Sequence, residues 1–297
     1  MLRRDENKGT GPDAGACWID VALSPARLPG GAAARTRTVY VVVDVIRATT
    51  TLCVLFERGC QQVYVAGSVA GARQAGARLA VRPLPPLLAG EIGGVAPPGF
   101  DYGNSPAEIG ALDMAGRVVV FATTNGTRAL HACRGGTRVL AGALRNASAV
   151  ARAAVTLASA IQPPAGEPTA GPGAAIAQAA KAGAPTADAT PPAEAPDGDD
   201  YSGPGITIVC SGRDQWPAFD DTLCAGYLVS RIEAEAAARR FPTARRDGAR
   251  IAVATAETAQ QAGLRAALAA SGAAIAIVEL GLEADITWCA EVDTCAY

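Results

Sequence analysis

Histidine is almost absent: His131 is the only one in 297 residues. Zinc sites that rest on imidazoles, and catalysis that needs two histidines, are therefore excluded. Aromatic residues are scarce too, at 5% against 49% hydrophobic residues overall. The core must then be built mainly from Ala, Val, Leu and Ile, which suits helices packed on a buried parallel sheet better than a β-sandwich. No apolar run reaches the roughly 18 residues of a membrane span, so no membrane association is expected. The start, Met1-Leu2-Arg3-Arg4-Asp5-Glu6-Asn7-Lys8, has no apolar stretch behind its basic residues. It reads as a frayed tail rather than a signal peptide, and a cytoplasmic location is expected. There is no long basic run and the net charge is −2, so nucleic acid is not an expected partner. A locally cationic anion site remains allowed, because a net figure hides local fields.

Eight cysteines are present, but none form a Cys-x-x-Cys pair. Cys53, Cys60, Cys210 and Cys224 sit in apolar runs, where cysteine behaves as a small hydrophobe. Buried thiols are expected, not disulfides or a metal site.

What is present is an alternation of short β-branched runs and helical patterns. Strands are expected over 39–43, 63–66, 117–121, 138–141, 206–210 and 250–254. Helices are expected over 51–58, 69–79, 107–114, 127–132, 148–160, 222–240 and 256–270. Residues 273–280 fit either state. In 222–240 the apolar residues Leu223, Tyr227, Leu228 and Ile232 share one face at helical spacing, and Gly59 supplies a left-handed stop after the first of these helices. The alternation predicts an α/β fold, a three-layer α/β/α arrangement on a mostly parallel sheet. Residues 161–205 break the pattern with Ala, Pro, Gly and Thr and no apolar period, a composition that favours disorder. The expected organisation is a tail over 1–16, a first α/β half over 17–160, this insert, and a second half over 206–297 completing the same catalytic unit.

Ligands in open α/β sheets bind at the carboxyl ends of strands, beside helix starts. Four such ends are rich in small polar groups. The first is Asp44-Val45-Ile46-Arg47-Ala48-Thr49-Thr50-Thr51, where a carboxylate can hold Mg²⁺ and Arg47 can clamp phosphate oxygens. Thr49 as a plain helix cap and Arg47 as a surface partner of Asp44 would explain the same residues. The second is Thr123-Thr124-Asn125-Gly126-Thr127, a turn or an anion cradle. The third runs from Gly142 through Arg145 and Asn146 to Ser148. The fourth is Cys210-Ser211-Gly212-Arg213-Asp214, followed by Asp220-Asp221 at a helix start, where the dipole favours acids even without metal. Glu91 lies among glycines that let backbone approach a ligand closely. Ser105 and Glu108 read as a capping box around Pro106, which leaves Asn104 available for a ligand.

If these ends handle a phosphate, several chemistries are closed. No cysteine has Arg six residues later, and the residue two after Asp44 is Ile46 rather than a second Asp. Gly-Lys-Ser/Thr is absent. Metal-assisted attack by water remains.

Asp44-Val-Ile-Arg-Ala-Thr-Thr-Thr51, Gly90-Glu91, Gly99-Phe-Asp-Tyr-Gly-Asn-Ser-Pro106, Thr123-Thr-Asn-Gly-Thr127, Asn146-Ala-Ser148 and Asp220-Asp-Thr-Leu-Cys-Ala-Gly226 occur in this order. Together they resemble the 2-phosphosulfolactate phosphatase family, and Glu279-Leu-Gly-Leu-Glu-Ala-Asp-Ile-Thr-Trp-Cys289 is similar to its C-terminal block. The resemblance implies Mg²⁺-dependent hydrolysis of 2-phospho-3-sulfolactate to sulfolactate and phosphate, a step towards coenzyme M. It leaves as rivals a phosphatase for another small phosphorylated hydroxy acid and a non-catalytic phospho-ligand sensor. Asp44 and Glu91 are assigned to the metal, with Asp220 or Asp221 as further ligand or water-orienting base. Arg47, Thr49, Thr50 and the loop Thr123, Thr124, Asn125, Gly126 and Thr127 are assigned to phosphate. Arg145 or Arg213 is left to meet a second acidic group. The expected partner is a small acidic phosphate ester, and a homo-oligomer is allowed.

Overall fold

The β-branched runs pair into two parallel sheets in a computed structural model that describes residues 16–26, 28, 35–81, 83–134, 138–161 and 203–297. Nearly all of the tail and insert expected from composition lie outside these described residues. The first strands are β1 (Cys17–Ala22), β2 (Thr38–Val43), β3 (Gln62–Val65) and β4 (Leu87–Gly90). They are followed by β5 (Val118–Ala122), β6 (Arg138–Gly142), β7 (Gly205–Cys210) and β8 (Thr243–Arg245). Five of them form a sheet in the order β6-β2-β7-β1-β8, and three form a second in the order β3-β5-β4. Every ladder is parallel, with Val41 opposite Ile208 on one side and Leu140 on the other.

The helices between them are α1 (Ala48–Glu57), α2 (Val69–Leu79), α3 (Pro106–Gly110), α4 (Gly126–Ala132) and α5 (Ala147–Ser159). The second half adds α6 (Phe219–Ala238), α7 (Asp247–Ala262), α8 (Leu264–Ala269), α9 (Gly272–Val278) and α10 (Ala284–Ala290). Strands β2 and β7 are buried at every position, as parallel strands covered on both faces must be. Their side chains alternate between two cores. Val39, Val41 and Val43 join the residues of α5, α6 and α7, whereas Tyr40 and Val42 meet Ala129 and Cys133 on the opposite face. The three-layer α/β expectation holds, but with two sheets in place of one.

Several local expectations are corrected. Residues 250–254 are not a strand; they lie inside α7, whose buried Ala249, Ala252, Val253, Ala256 and Ala259 recur at helical spacing. The helix expected over 256–270 is divided at Gly263, whose φ of 85° ends α7 before α8 begins. The ambiguous segment 273–280 is largely helix α9, capped by Ser271 accepting from the Ala274 N–H. Strands β1, β4 and β8 were not anticipated: β4 and β8 are only four and three residues long, and β1, Cys-Trp-Ile-Asp-Val-Ala, has no sustained β-branched run. Gly59 has the positive φ expected after α1. Ser105 caps α3 by accepting from the Glu108 N–H, but Glu108 accepts in return from Gly103 rather than from Ser105. All eight cysteines are buried and unpaired. Among the described residues no helix is long and apolar enough to cross a membrane.

Candidate active site

The carboxyl ends of β2, β4, β5 and β7 open into one cleft of about 570 Å³, walled on its far sides by the start of α6 and by α9. Asp44, Arg47, Glu91, Asn104, Thr124, Asn125, Arg213, Asp220 and Asp221 all line it. Residues from six sequence segments and up to 177 positions apart, counting from Asp44 to Asp221, therefore share one space.

Asp44 leaves the sheet at the end of β2 and is only 7% exposed. Its Oδ1 accepts from the Ala48 N–H at 3.2 Å, at the start of α1, and the Gly126 backbone also bonds to it. Gly126 must lack a side chain here, because a Cβ would lie 2.6 Å from Asp44 Oδ2. Burial pushes the Asp44 carboxyl up to about 6, with Glu91 adding like-charge repulsion.

Asp220 and Asp221 occupy the first turn of α6, where the helix dipole favours acids, yet they do different things. Asp221 is saturated. Its Oδ1 accepts from the Val45 N–H at 2.9 Å, and its Oδ2 accepts from Ser211 Oγ at 2.9 Å and the Gly212 N–H at 3.0 Å. It ties the end of β2 to the end of β7. Asp220, 3% exposed, takes backbone bonds only from its own turn, the Asp220 and Asp221 N–H groups, and ties no strands together. Burial and the charge of Asp44 push its carboxyl up to about 7, and the nearby Arg213 guanidinium pulls in the opposite direction. Burial and the two neighbouring aspartates also push Asp221 up.

Glu91 lies just past β4, and both its oxygens are oriented by backbone. Oε1 accepts from the Thr124 N–H at 2.6 Å and Oε2 from the Gly94 N–H at 2.8 Å. The loop 123–127 thus spends its donors on the protein's own carboxylates, Glu91 and Asp44. Thr123 and Thr127 close on each other, each hydroxyl accepting the other's N–H at 3.2 Å, and both are absent from the cleft wall. Thr49 Oγ1 donates to the Asp44 carbonyl and Thr50 Oγ1 to the Val45 carbonyl. Both threonines are fully buried and off the cleft, so their hydroxyls brace the turn rather than face a ligand.

The arginines divide in the same way. Arg47 reaches the cleft, but its Nη1 pairs with Asp285 at 2.9 Å and its Nη2 donates to the Gly94 carbonyl at 2.6 Å. Arg145 is not in the cleft. It pairs with Glu57 and Glu291 and lies over the Trp288 ring, where it braces α1 and the C-terminal segment. Arg213 lines the cleft and, among the described residues, has no carboxylate partner within ion-pair distance. Asn104 is 4% exposed and its Oδ1 is buried without a hydrogen-bond partner among the described residues, an acceptor open to a ligand's donor.

Sequence reasoning missed Asp285, Gly94 and the wall formed by α9. A buried arginine demands an acid, but nothing in the sequence says that the acid for Arg47 comes from 238 residues away. Ser211 and Gly212 were visible as a polar strand end, without any sign that their donors serve Asp221.

Among the described residues no group of three or more His, Cys, Asp or Glu side chains is arranged as a metal cage. Mg²⁺ asks for less than such a cage, taking only one or two carboxylates beside water and phosphate oxygens. Asp44 and Glu91 fit that smaller demand. Each has its carboxylate fixed by backbone donors, both face the cleft, and their mutual repulsion is what a cation would relieve.

Comparison with known proteins agrees with this layout. The family model for 2-phosphosulpholactate phosphatase matches residues 23–162 and 199–297. A protein of Thermus thermophilus described as a probable 2-phosphosulfolactate phosphatase is 35% identical over 261 residues, covering 86% of this chain and 84% of that protein. A Deinococcus radiodurans protein of the same description is 34% identical over 259 residues, with 86% and 84% covered. With the motifs in order, the carboxylate-lined cleft at the strand ends and a match over most of its length, the chain belongs to the 2-phosphosulfolactate phosphatase family.

Proposed function

We propose that this chain is a phosphoric monoester hydrolase that cleaves 2-phospho-3-sulfolactate to sulfolactate and phosphate with Mg²⁺, a reaction of the coenzyme M type. The observation that carries it is the convergence of Asp44, Glu91 and Asp220 at one cleft whose chain belongs to a phosphatase family.

Asp44 and Glu91 would hold the metal, which when bound supplies charge to polarise phosphoryl oxygens and to make water a nucleophile at neutral pH. Asp220, not Asp221, is the base that orients the attacking water and takes its proton. It faces the cleft without a saturating set of donors, whereas Asp221 is committed to Val45, Ser211 and Gly212. Asp221 is a positioning residue that fixes the ends of β2 and β7. Arg213 is the cation left to meet an acidic group of the substrate, and the Asn104 Oδ1 accepts from water or from the hydroxyl freed in the product. Arg47, held by Asp285, adds positive field at the cleft floor.

Phosphate release from 2-phosphosulfolactate tests the reading. Turnover is expected with Mg²⁺ and loss of turnover with a chelator, restored by added Mg²⁺. Release that a chelator leaves unchanged would remove the metal from the proposal, and no release at all would remove the activity.

A further inference from the structure

We infer that Cys53 and Cys295 are a reversible redox pair, whose disulfide staples the segment after α10 to α1. The two residues are 242 positions apart and share one buried cluster with Ala143. Cys295 Sγ lies 3.8 Å from the Cys53 carbonyl oxygen, and the two thiols hydrogen-bond each other. A pair already in contact meets the first demand of a disulfide, which bridges only side chains that face one another. Residues 291–297 form no helix or strand, yet they are docked firmly beside α1. The Cys295 N–H donates to the Arg145 carbonyl at 2.8 Å, the Asp293 N–H to the Leu144 carbonyl at 3.1 Å, and Asn146 Nδ2 to the Tyr297 carbonyl at 2.9 Å. Arg145 adds ion pairs to Glu57 of α1 and to Glu291 at the same place.

The eight thiols are not alike. Burial is the main cause that pushes Cys17, Cys60, Cys133, Cys210, Cys224 and Cys289 up, which makes them poor nucleophiles. Cys295 alone is held below the ordinary thiol range, by the Cys53 thiol bonded to it and against burial and Glu57. Cys53 is raised in return, first by Cys295 and then by burial. Cys295 is therefore the attacking thiol and Cys53 the resolving one. Thr294 and Ala296 on either side of Cys295 are exposed, so a small reagent has a short way in. The oxidant is a small disulfide. The Cys295 thiolate attacks one of its sulfurs, that S–S bond breaks, and one small thiolate leaves. The Cys53 thiol then gives up its proton and attacks the Cys295 sulfur, expelling the second small thiolate. Two electrons pass from the pair to the reagent, which departs as two thiols. The new bond spans 242 positions, and closing a long loop removes the most freedom from the unfolded chain.

The test incubates the full chain with oxidised glutathione and then blocks the remaining thiols with iodoacetamide under denaturing conditions. Intact mass and peptide mapping read the product. Two of the eight thiols are expected to be lost to one disulfide, Cys53–Cys295, which dithiothreitol reverses. The Tm is expected to rise by about 5 °C or more on oxidation. Cys53→Ser is expected to stop at a glutathione adduct on Cys295, whereas Cys295→Ser is expected to form neither adduct nor disulfide at Cys53. Eight free thiols after oxidation, or a disulfide between other cysteines, would overturn the pair, and the wild-type map decides this even if a variant fails to fold. A Cys53–Cys295 bond that leaves the Tm unchanged or lowers it would overturn the staple. An adduct at Cys53 in Cys295→Ser, with none at Cys295 in Cys53→Ser, would overturn the order of attack.

Discussion

At the carboxyl ends of β2 and β7 the strands are wholly buried, and the acids beside them are buried too: Asp44, Asp220 and Asp221 are 7%, 3% and 2% exposed. At the ends of β4 and β5, in the smaller sheet, Glu91, Thr124 and Asn125 are only half-buried, and the donors there are backbone N–H groups. One side of the cleft therefore presents acids held at raised pKa by loss of water. The other presents a single acid whose direction is set by a turn. A buried strand end can keep a carboxylate poised, because desolvation and like charge both oppose ionisation. A half-exposed loop aims one with its backbone donors.

The joint between the two regions should show the largest effect on stability. Asp285 binds Arg47 on the β2 side, and on the β4 side it accepts from Ser105 Oγ at 2.6 Å and the Ala107 N–H at 3.1 Å. The Arg47 and Asp285 side chains are 3% and 1% exposed. Asp285→Ala is expected to cost about 3–5 kcal/mol, because it strands a buried guanidinium. Urea denaturation measures this, and a cost under about 1 kcal/mol would mean that the two regions do not depend on the pair.

Within the buried region the neighbours Asp220 and Asp221 should respond oppositely. Asp221→Asn turns an NH₂ towards converging donors and is expected to destabilise by about 2–3 kcal/mol. Asp220→Asn is expected to stabilise the metal-free protein above pH 7, by on the order of 2 kcal/mol, while removing activity. A carboxyl whose pKa rises from 3.8 unfolded to about 7 folded holds its proton more tightly in the fold. Folding is thus favoured at low pH, and that advantage is lost as pH climbs from about 4 through 7. Thermal melts of both variants at pH 5 and pH 8, without divalent ions, check the signs. Stabilisation by Asp220→Asn that is the same at both pH values would contradict the raised pKa.

The smallest effect concerns the two lips of the cleft. Ile92 and Val95 bracket a two-residue turn at Gly93 and Gly94, with φ of 59° and 86°. Arg213 and Trp216 bracket a matching turn, but Asp214 and Gln215 take φ of 50° and 69° without being glycine. Gln215→Gly is expected to add about 0.5–1 kcal/mol by relieving the left-handed backbone. A loss of stability on denaturation would show that the Gln215 side chain makes up for its backbone.

The sequence carried some strands of each sheet and not others, for a physical reason. Strands β2 and β7 are covered on both faces and read as unbroken β-branched runs, whereas β4 is a four-residue strand with two half-buried positions. In α7 the run Ile251-Ala252-Val253 reads as a strand in sequence, and the helical period lies in buried alanines, which carry little hydrophobic signal. At the site, Asp44, Glu91, Asp220 and Arg213 were legible as polar groups at strand ends. The roles of Thr49, Thr50, Thr127 and Arg145 were not, because a hydroxyl or guanidinium looks the same in sequence whether it faces a ligand or the protein's own backbone and acids.

The central proposal is that Asp44, buried and repelled by the neighbouring charges of Glu91 and Asp220, lies at the heart of a metal-dependent phosphatase centre. It is tested most directly by phosphate release from 2-phosphosulfolactate with Mg²⁺, comparing wild type with Asp44→Asn at matched fold by circular dichroism. The account predicts a fall of about a hundredfold or more, the scale expected when a preorganised charge is removed from a reacting phosphoryl group. Turnover within about threefold of wild type would contradict it.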